Sequence, residues 1–300
     1  MAFKTQSWTG PLLVAVAAFL WATDALIRYP AIEKVDPTFM VFVEHLLAVF
    51  ILFPWLYFKN RNELFSLSPK EWFAALISGV GGSAIATVFF TASFLYINPS
   101  VAVLLQKLQP VIVVLIAYLV LGERPEKKFF LWGTVALGAG VALSFPDLDF
   151  RFLGSGVDLY SKGIQYAFGA ALLWAGATVS GKVLLKNTTP TLATFWRFFF
   201  GLIALTVLLF LSGTPPTLSL FTHTTAWSSI LYLSLVPGLL AMLVYYNGLS
   251  GTPASVTTFI ELIYPIGAVA LNTIFLHTPL VPVQTFAGFI LVCAVAMISF

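Results

Sequence analysis

Five ionisable residues lie inside otherwise apolar runs of this sequence: Asp24, Glu44, Lys107, Arg197 and Glu261, with His45 beside Glu44. A charge at the centre of a membrane helix costs about 2.5–3.5 kcal/mol on insertion scales, so each should face protein or water and find a partner. Their types suit binding better than bond making. The three histidines, His45, His223 and His277, fall in separate regions, and no HExxH, CxxC or GxSxG occurs. No nucleophile or metal constellation is present, so an enzyme, a metal and a cofactor are not expected. Charges of both signs do suit a zwitterion. Lys107 or Arg197 could take a carboxylate, and Asp24 or Glu261 an ammonium. Three carboxylates against two cations leave one acid over, which would suit proton coupling.

Two of these charges sit beside prolines. In VLLQKLQPVIVVLIAYLVLGERP (103–125), Pro110 has no N–H for the carbonyl of Gln106, and Pro265 likewise frees that of Glu261. Helical spacing puts Gln106, Gln109 and Pro110 on one face, and Glu261, Tyr264 and Pro265 on another. Each kink should therefore expose a backbone acceptor next to polar side chains, a pattern tolerated where a watery cavity covers it. Trp21, Trp174, Tyr245 and Tyr246 could wall an amphipathic ligand there. Both tyrosines could equally belong to an interfacial belt, with Trp8, Trp55, Trp72 and Trp227. Asp24 follows Trp21 by three residues on one helix face, and could instead pair with Arg28 near the span's outer end.

The elements that must position these groups follow from composition. The 300 residues are 59% hydrophobic and 9% charged, with a mean hydropathy of +0.96, whereas soluble proteins carry about 25% charged residues. The chain reads as a membrane protein whose surroundings are a lipid bilayer. A net charge of +3 without basic runs gives no sign of nucleic acid. Runs long enough to span occur at about 11–29, 37–58, 71–95, 99–121, 128–146, 162–185, 189–211, 226–248, 253–276 and 282–300. The expected fold is an all-α membrane protein of ten transmembrane helices. Lys4, Lys59, Arg61, Lys70, Arg124, Lys127, Lys128, Lys182 and Lys186 fall on one side, against Arg28, Lys34, Arg151 and Lys162 on the other. Both termini are thus expected in the cytoplasm, with the chain in a bacterial inner membrane. No GxxxxGK[ST] loop points to a primary pump.

The chain is also a duplication. At an offset of 153, Trp21 meets Trp174, Pro37 meets Pro190, Phe42 meets Phe195 and Glu44 meets Arg197. At an offset of 155, Gln106 meets Glu261, Gln109 meets Tyr264, Pro110 meets Pro265 and Gly133 meets Gly288. Lys107 meets Leu262 and has no polar counterpart. Because the first apolar run recurs in the second half, it is not read as a signal peptide. Two five-helix repeats, 1–150 and 151–300, are expected, and an odd span count makes them inverted. Secondary transporters use this plan, with the site at the repeat interface. Glu44 and Arg197, equivalent and opposite in sign, are expected to form a gating or repeat-interface pair.

The motifs FLWA and LLWA, the proline-started second spans and LQKLQPVIVVLIAYLVLGERP resemble the EamA-type branch of the drug/metabolite transporter superfamily across essentially the whole chain. The second half departs from the pattern, with LHTPLVP where the first has LGERPEKK. The resemblance implies transport of a small molecule, and its members include exporters of amino acids, aromatic ones among them. Export of such amino acids by alternating access is the expected function. A sugar, nucleoside or drug-like amphiphile is the alternative solute, and a lipid-modifying enzyme the remote one.

Overall fold

A computed structural model describes residues 9–59, 61, 64–121, 126–145, 147, 159–212, 224–250, 252 and 260–299. The described residues form helices and no strands. In chain order these are α1 (Thr9–Ala31), α2 (Pro37–Lys59), α3 (Pro69–Ser93), α4 (99–121), α5 (Lys127–Ser144), α6 (Leu159–Leu184), α7 (Pro190–Ser212), α8 (224–250), α9 (Ile263–Phe275) and α10 (Pro282–Ser299). Six described helices, α1–α4, α7 and α8, are long and apolar enough to cross a membrane, and α9 and α10 contain shorter apolar stretches. The first part of the expected span 253–276 and most of the linker at 146–162 lie outside the described residues.

Local sequence explains where the helices start. Proline opens α2, α3, α4, α7 and α10, at a position where its missing N–H costs nothing. Asp36 accepts from the N–H groups of Thr38 and Phe39 at 2.8 and 3.1 Å, and Asn98 accepts from Ser100 N–H at 2.8 Å. Ser68 and Glu71 form a reciprocal capping box ahead of α3. The starts recur along the chain. Helices α2 and α7 both have 23 residues, with bounds 153 apart, while α5 and α10 both have 18, with bounds 155 apart.

The two halves interlock. Helix α1 packs on α8 and α9, α6 packs on α3 and α4, α2 packs on α7, and α5 packs on α10. Small residues allow the closest approaches. A Cβ placed on Gly79 of α3 would lie 2.5 Å from Phe200 Cβ and 2.8 Å from the Arg197 carbonyl of α7. Overpacking of this kind costs about 1–3 kcal/mol. Gly79→Ala is therefore expected to lower the melting temperature of the detergent-solubilised protein clearly. Gly176→Ala, where a Cβ would meet nothing within 4 Å, should leave it nearly unchanged.

Besides a one-residue break in α1 at Thr23, four of the described helix regions depart from α-helical geometry. α4 tightens into a 3₁₀ turn at Gln106–Leu108, and α9 is preceded by a turn at 261–262. These are the expected kinks at Pro110 and Pro265, with one correction. The freed carbonyls are not left open. Gln109 N–H donates to the Gln106 carbonyl, and Tyr264 N–H to that of Glu261 at 3.1 Å. A 3₁₀ turn re-satisfies the acceptor that proline cannot serve. The other two interruptions were not expected from the sequence. α3 widens into a π-helix at Ile77–Ile85, around Gly79, Gly81 and Gly82, and α8 does so at Ser234–Leu240, around Pro237. The 155-residue offset sets Gly82 against Pro237, and both carbonyls accept a side-chain donor from the opposite half. Arg197 Nη2 reaches Gly82 at 3.2 Å, and Trp21 Nε1 reaches Pro237 at 3.0 Å.

Candidate functional site: a central cavity between the halves

These interruptions surround a cavity of about 440 Å³, within the range of small-molecule sites. Its wall brings together Trp21, Asp24, Glu44, Gln106, Lys107, Gln109, Pro110, Trp174, Arg197, Tyr245, Tyr246, Glu261 and Tyr264. Of the candidate site residues in the sequence, Pro265 alone is not on the wall. It is buried behind Tyr264 in α9.

One side of the cavity is an ion cluster centred on Arg28. Its Nε and Nη2 each donate to Asp24 at 2.7 Å, and Nη1 donates to Glu44 Oε1 at 2.8 Å and to Thr91 Oγ1 at 3.1 Å. A longer bond joins Nη2 to Glu44 Oε2 at 3.2 Å. Arg28 is only 3% exposed, so this is a buried cation rather than the loop residue its position suggested. Glu44 therefore pairs with Arg28, not with Arg197 as expected. A planar fork of donors can serve two carboxylates at once, and Arg28 lies one helical turn past Asp24. Counting Arg28, three carboxylates face three cations on the wall. The surplus acid that suggested proton coupling is gone.

His45, also on the cavity wall, has both ring nitrogens engaged. Its Nδ1 lies 2.8 Å from the Val41 carbonyl and its Nε2 2.8 Å from Ser83 Oγ. A carbonyl only accepts, so Nδ1 carries the proton. Phe198 packs on the ring edge-on at 5.1 Å.

On another side, Tyr245 donates to Glu261 Oε1 at 2.6 Å, and Trp21 lies 5.0 Å from the Tyr245 ring. Lys107, 8% exposed, holds its Nζ 4.8 Å from the Tyr264 ring centroid, a cation–π contact. Gln109 Nε2 donates to Thr178 Oγ1 at 3.0 Å, tying α4 to α6. Trp174 packs on Phe90 at 5.3 Å. Tyr245 and Tyr246 thus line the cavity instead of an interfacial belt. Trp72, in the first turn of α3, packs 4.5 Å from Trp196. Two wall atoms, Gln106 Oε1 and Arg197 Nε, are buried with no partner among the described residues.

Sequence reasoning offered Arg28 as the partner of Asp24, as found, but not as part of the cavity wall, and it missed Thr178 and Pro237. Arg28 was visible as the fourth residue after Asp24. Pro237 carried the same proline signal that marked Pro110.

A chain whose described residues are helical, with long apolar helices around a cavity lined by aromatic and charged side chains, is an integral membrane protein, and its relatives are transporters. The EamA-like transporter family profile matches residues 8–145 and again 161–300. The chain belongs to that family. It is 31% identical to the riboflavin transporter ImpX of Fusobacterium nucleatum subsp. nucleatum, over 97% of both chains. It is 26% identical to the uncharacterised transporter YwfM of Bacillus subtilis, over 90% of this chain and 87% of that one. It is also 26% identical to the uncharacterised inner membrane transporter YhbE of Escherichia coli, over 61% of this chain and 57% of the other. A protein of known crystal structure superposes with a TM-score of 0.64 at 20% identity, covering 96% of this chain and 95% of that one. This match concerns the fold alone.

Proposed function

We propose that this transporter moves a small amphipathic metabolite bearing a planar ring, by alternating access of two inverted five-helix repeats through the central cavity. The ten described helices would each span a bacterial inner membrane with both termini in the cytoplasm. The observation that carries the reading is the composition of the cavity wall. Trp21, Trp174, Phe90, Tyr245, Tyr246 and Tyr264 supply ring faces, while Gln106, Lys107, Arg197 and Glu261 supply hydrogen-bonding edges. Such a wall suits a molecule apolar on its faces and polar at its rim. The name of the ImpX relative makes riboflavin the first ligand to try. Aromatic amino acids are the second reading, favoured by the charges of both signs on the wall. In that reading Asp24 is no longer free for an ammonium, because Arg28 occupies it, and Glu261 takes that part. The matched helix bounds, the packing of each half on the other and the lysine and arginine count support the topology.

The test is counterflow of labelled riboflavin and of labelled tryptophan in sealed proteoliposomes, with a sugar as reference. Saturable exchange of a ring-bearing solute is expected. Exchange of the sugar alone would end this reading.

A further inference from the structure

The two halves differ most where they should be most alike. Under the 153-residue offset, Asp24, Arg28 and Glu44 of the first half correspond to Ala177, Gly181 and Arg197 of the second. The first half fills its site with its own side chains, a guanidinium held between two carboxylates. In the second half a cation stands where Glu44 stood, and the facing positions carry no functional group. Arg197 donates to two neutral oxygens, Gly82 O at 3.2 Å and Tyr246 Oη at 3.5 Å, and its buried Nε has no partner among the described residues. Among the described residues the ion pairs within 4.0 Å are at Arg28 and Lys128, so no carboxylate there neutralises Arg197. Gly181 lies close by. A Cβ there would come 3.4 Å from Tyr246 Oη, the same atom Arg197 approaches, and would meet nothing else within 4 Å. Gly181, Ala177, Arg197 and Tyr246 all line the cavity.

We infer that Arg197, Tyr246 and the space over Gly181 form an anion subsite that receives a carboxylate or phosphate group carried by the transported molecule. A guanidinium away from bulk water is a strong partner for such a group, because its Nε and Nη donors match two oxygens at once. The net charge of the Asp24–Arg28–Glu44 cluster opposes a second anion on that side, which orients the substrate with its anionic end toward α7. The inference deepens the ring-binding reading and rests on it for the remainder of the molecule.

Two measurements test it. The first compares ligand pairs by thermal stabilisation of the solubilised protein: riboflavin with riboflavin 5′-phosphate, and tryptophan with tryptamine. Within a pair that stabilises, the member that carries the carboxylate or phosphate is expected to bind about tenfold more tightly, as a charge-assisted bidentate contact allows. Arg197→Gln should erase that preference. Equal binding of both members, a preference that survives Arg197→Gln, or a shift from inorganic phosphate that is the same in wild type and Arg197→Gln would overturn the subsite.

The second measurement needs no ligand. Gly181→Glu supplies a tethered carboxylate beside Tyr246 and should raise the melting temperature above that of Gly181→Gln, which has the same shape without the charge. A Glu variant no more stable than the Gln variant would count against the subsite. If no ring compound of either kind stabilises the protein, the ring-binding reading falls, while this comparison still decides whether Arg197 awaits an anion.

Discussion

Arg28→Met is expected to leave little folded protein after detergent extraction, the largest stability effect among the single substitutions considered. The change removes the guanidinium from between Asp24 and Glu44, and Glu44 is itself only 5% exposed. Breaking a buried ion pair by deleting one partner costs about 3–5 kcal/mol, because the remaining charge stays buried. Here two carboxylates are stranded, against total stabilities of about 5–15 kcal/mol for folded proteins. The cluster also explains how to reverse the loss. Combining Arg28→Met with Asp24→Asn and Glu44→Gln removes all three charges, and should restore much of the monodisperse yield in size-exclusion chromatography. Arg28→Lys should not, since one ammonium cannot reproduce paired bonds to Asp24 and a bond to Glu44. A triple variant as poorly folded as the single one would show that the cluster holds the fold by more than its charge balance. Reversing the charges of Glu44 and Arg197 together should give no mutual rescue, because Glu44 pairs with Arg28.

Glu261→Gln is expected to lower transport by at least about tenfold, or about 1.4 kcal/mol of barrier, while leaving the protein folded. Glutamine keeps an oxygen to accept from Tyr245, whose hydroxyl is 2.6 Å from Glu261, so the bond from α8 to the turn ahead of α9 survives. What disappears is the wall's acidic group that Arg28 does not already neutralise. Lys107→Gln should behave similarly, since the Lys107 ammonium interacts with the Glu261 charge from the other half and leans on the Tyr264 ring. Transport rates in proteoliposomes, set beside melting curves of the same preparations, check both. Normal exchange in either variant would remove that residue from the site.

Much of this cavity was legible in the sequence because membrane insertion penalises polar groups so strongly. Gln106, Lys107 and Glu261 stood out against apolar neighbours, and the offset repeat set Gln106 and Glu261 at matched positions. Three features escaped, each for a physical reason. Arg28 looked like a loop residue because α1 runs on past Thr23, where Thr23 Oγ1 donates to the Leu20 carbonyl at 2.7 Å and the helix resumes at Asp24. Periodicity marks where apolar runs fade, not where a buried ion cluster lets a helix continue. The Glu44–Arg197 pairing failed because equivalence in a repeat fixes position but not distance, and a nearer cation was available. The carbonyls at the kinks failed because proline removes one donor without preventing a tighter turn from supplying another.

The wide turns in α3 and α8 set the heading of the residues that follow them. A π turn accommodates one residue more than the α-helix around it, and each such residue advances the phase of the downstream helix by about 100°. Beyond the turn in α3 lies Thr91, which meets Arg28 at 3.1 Å. Its heading therefore depends on that surplus residue. The same surplus recurs at the matching place in α8, where Pro237 and Gly238 fall inside the wide turn. Beyond it lie Tyr245 and Tyr246, so the direction from which they reach the cavity depends on that turn in the same way.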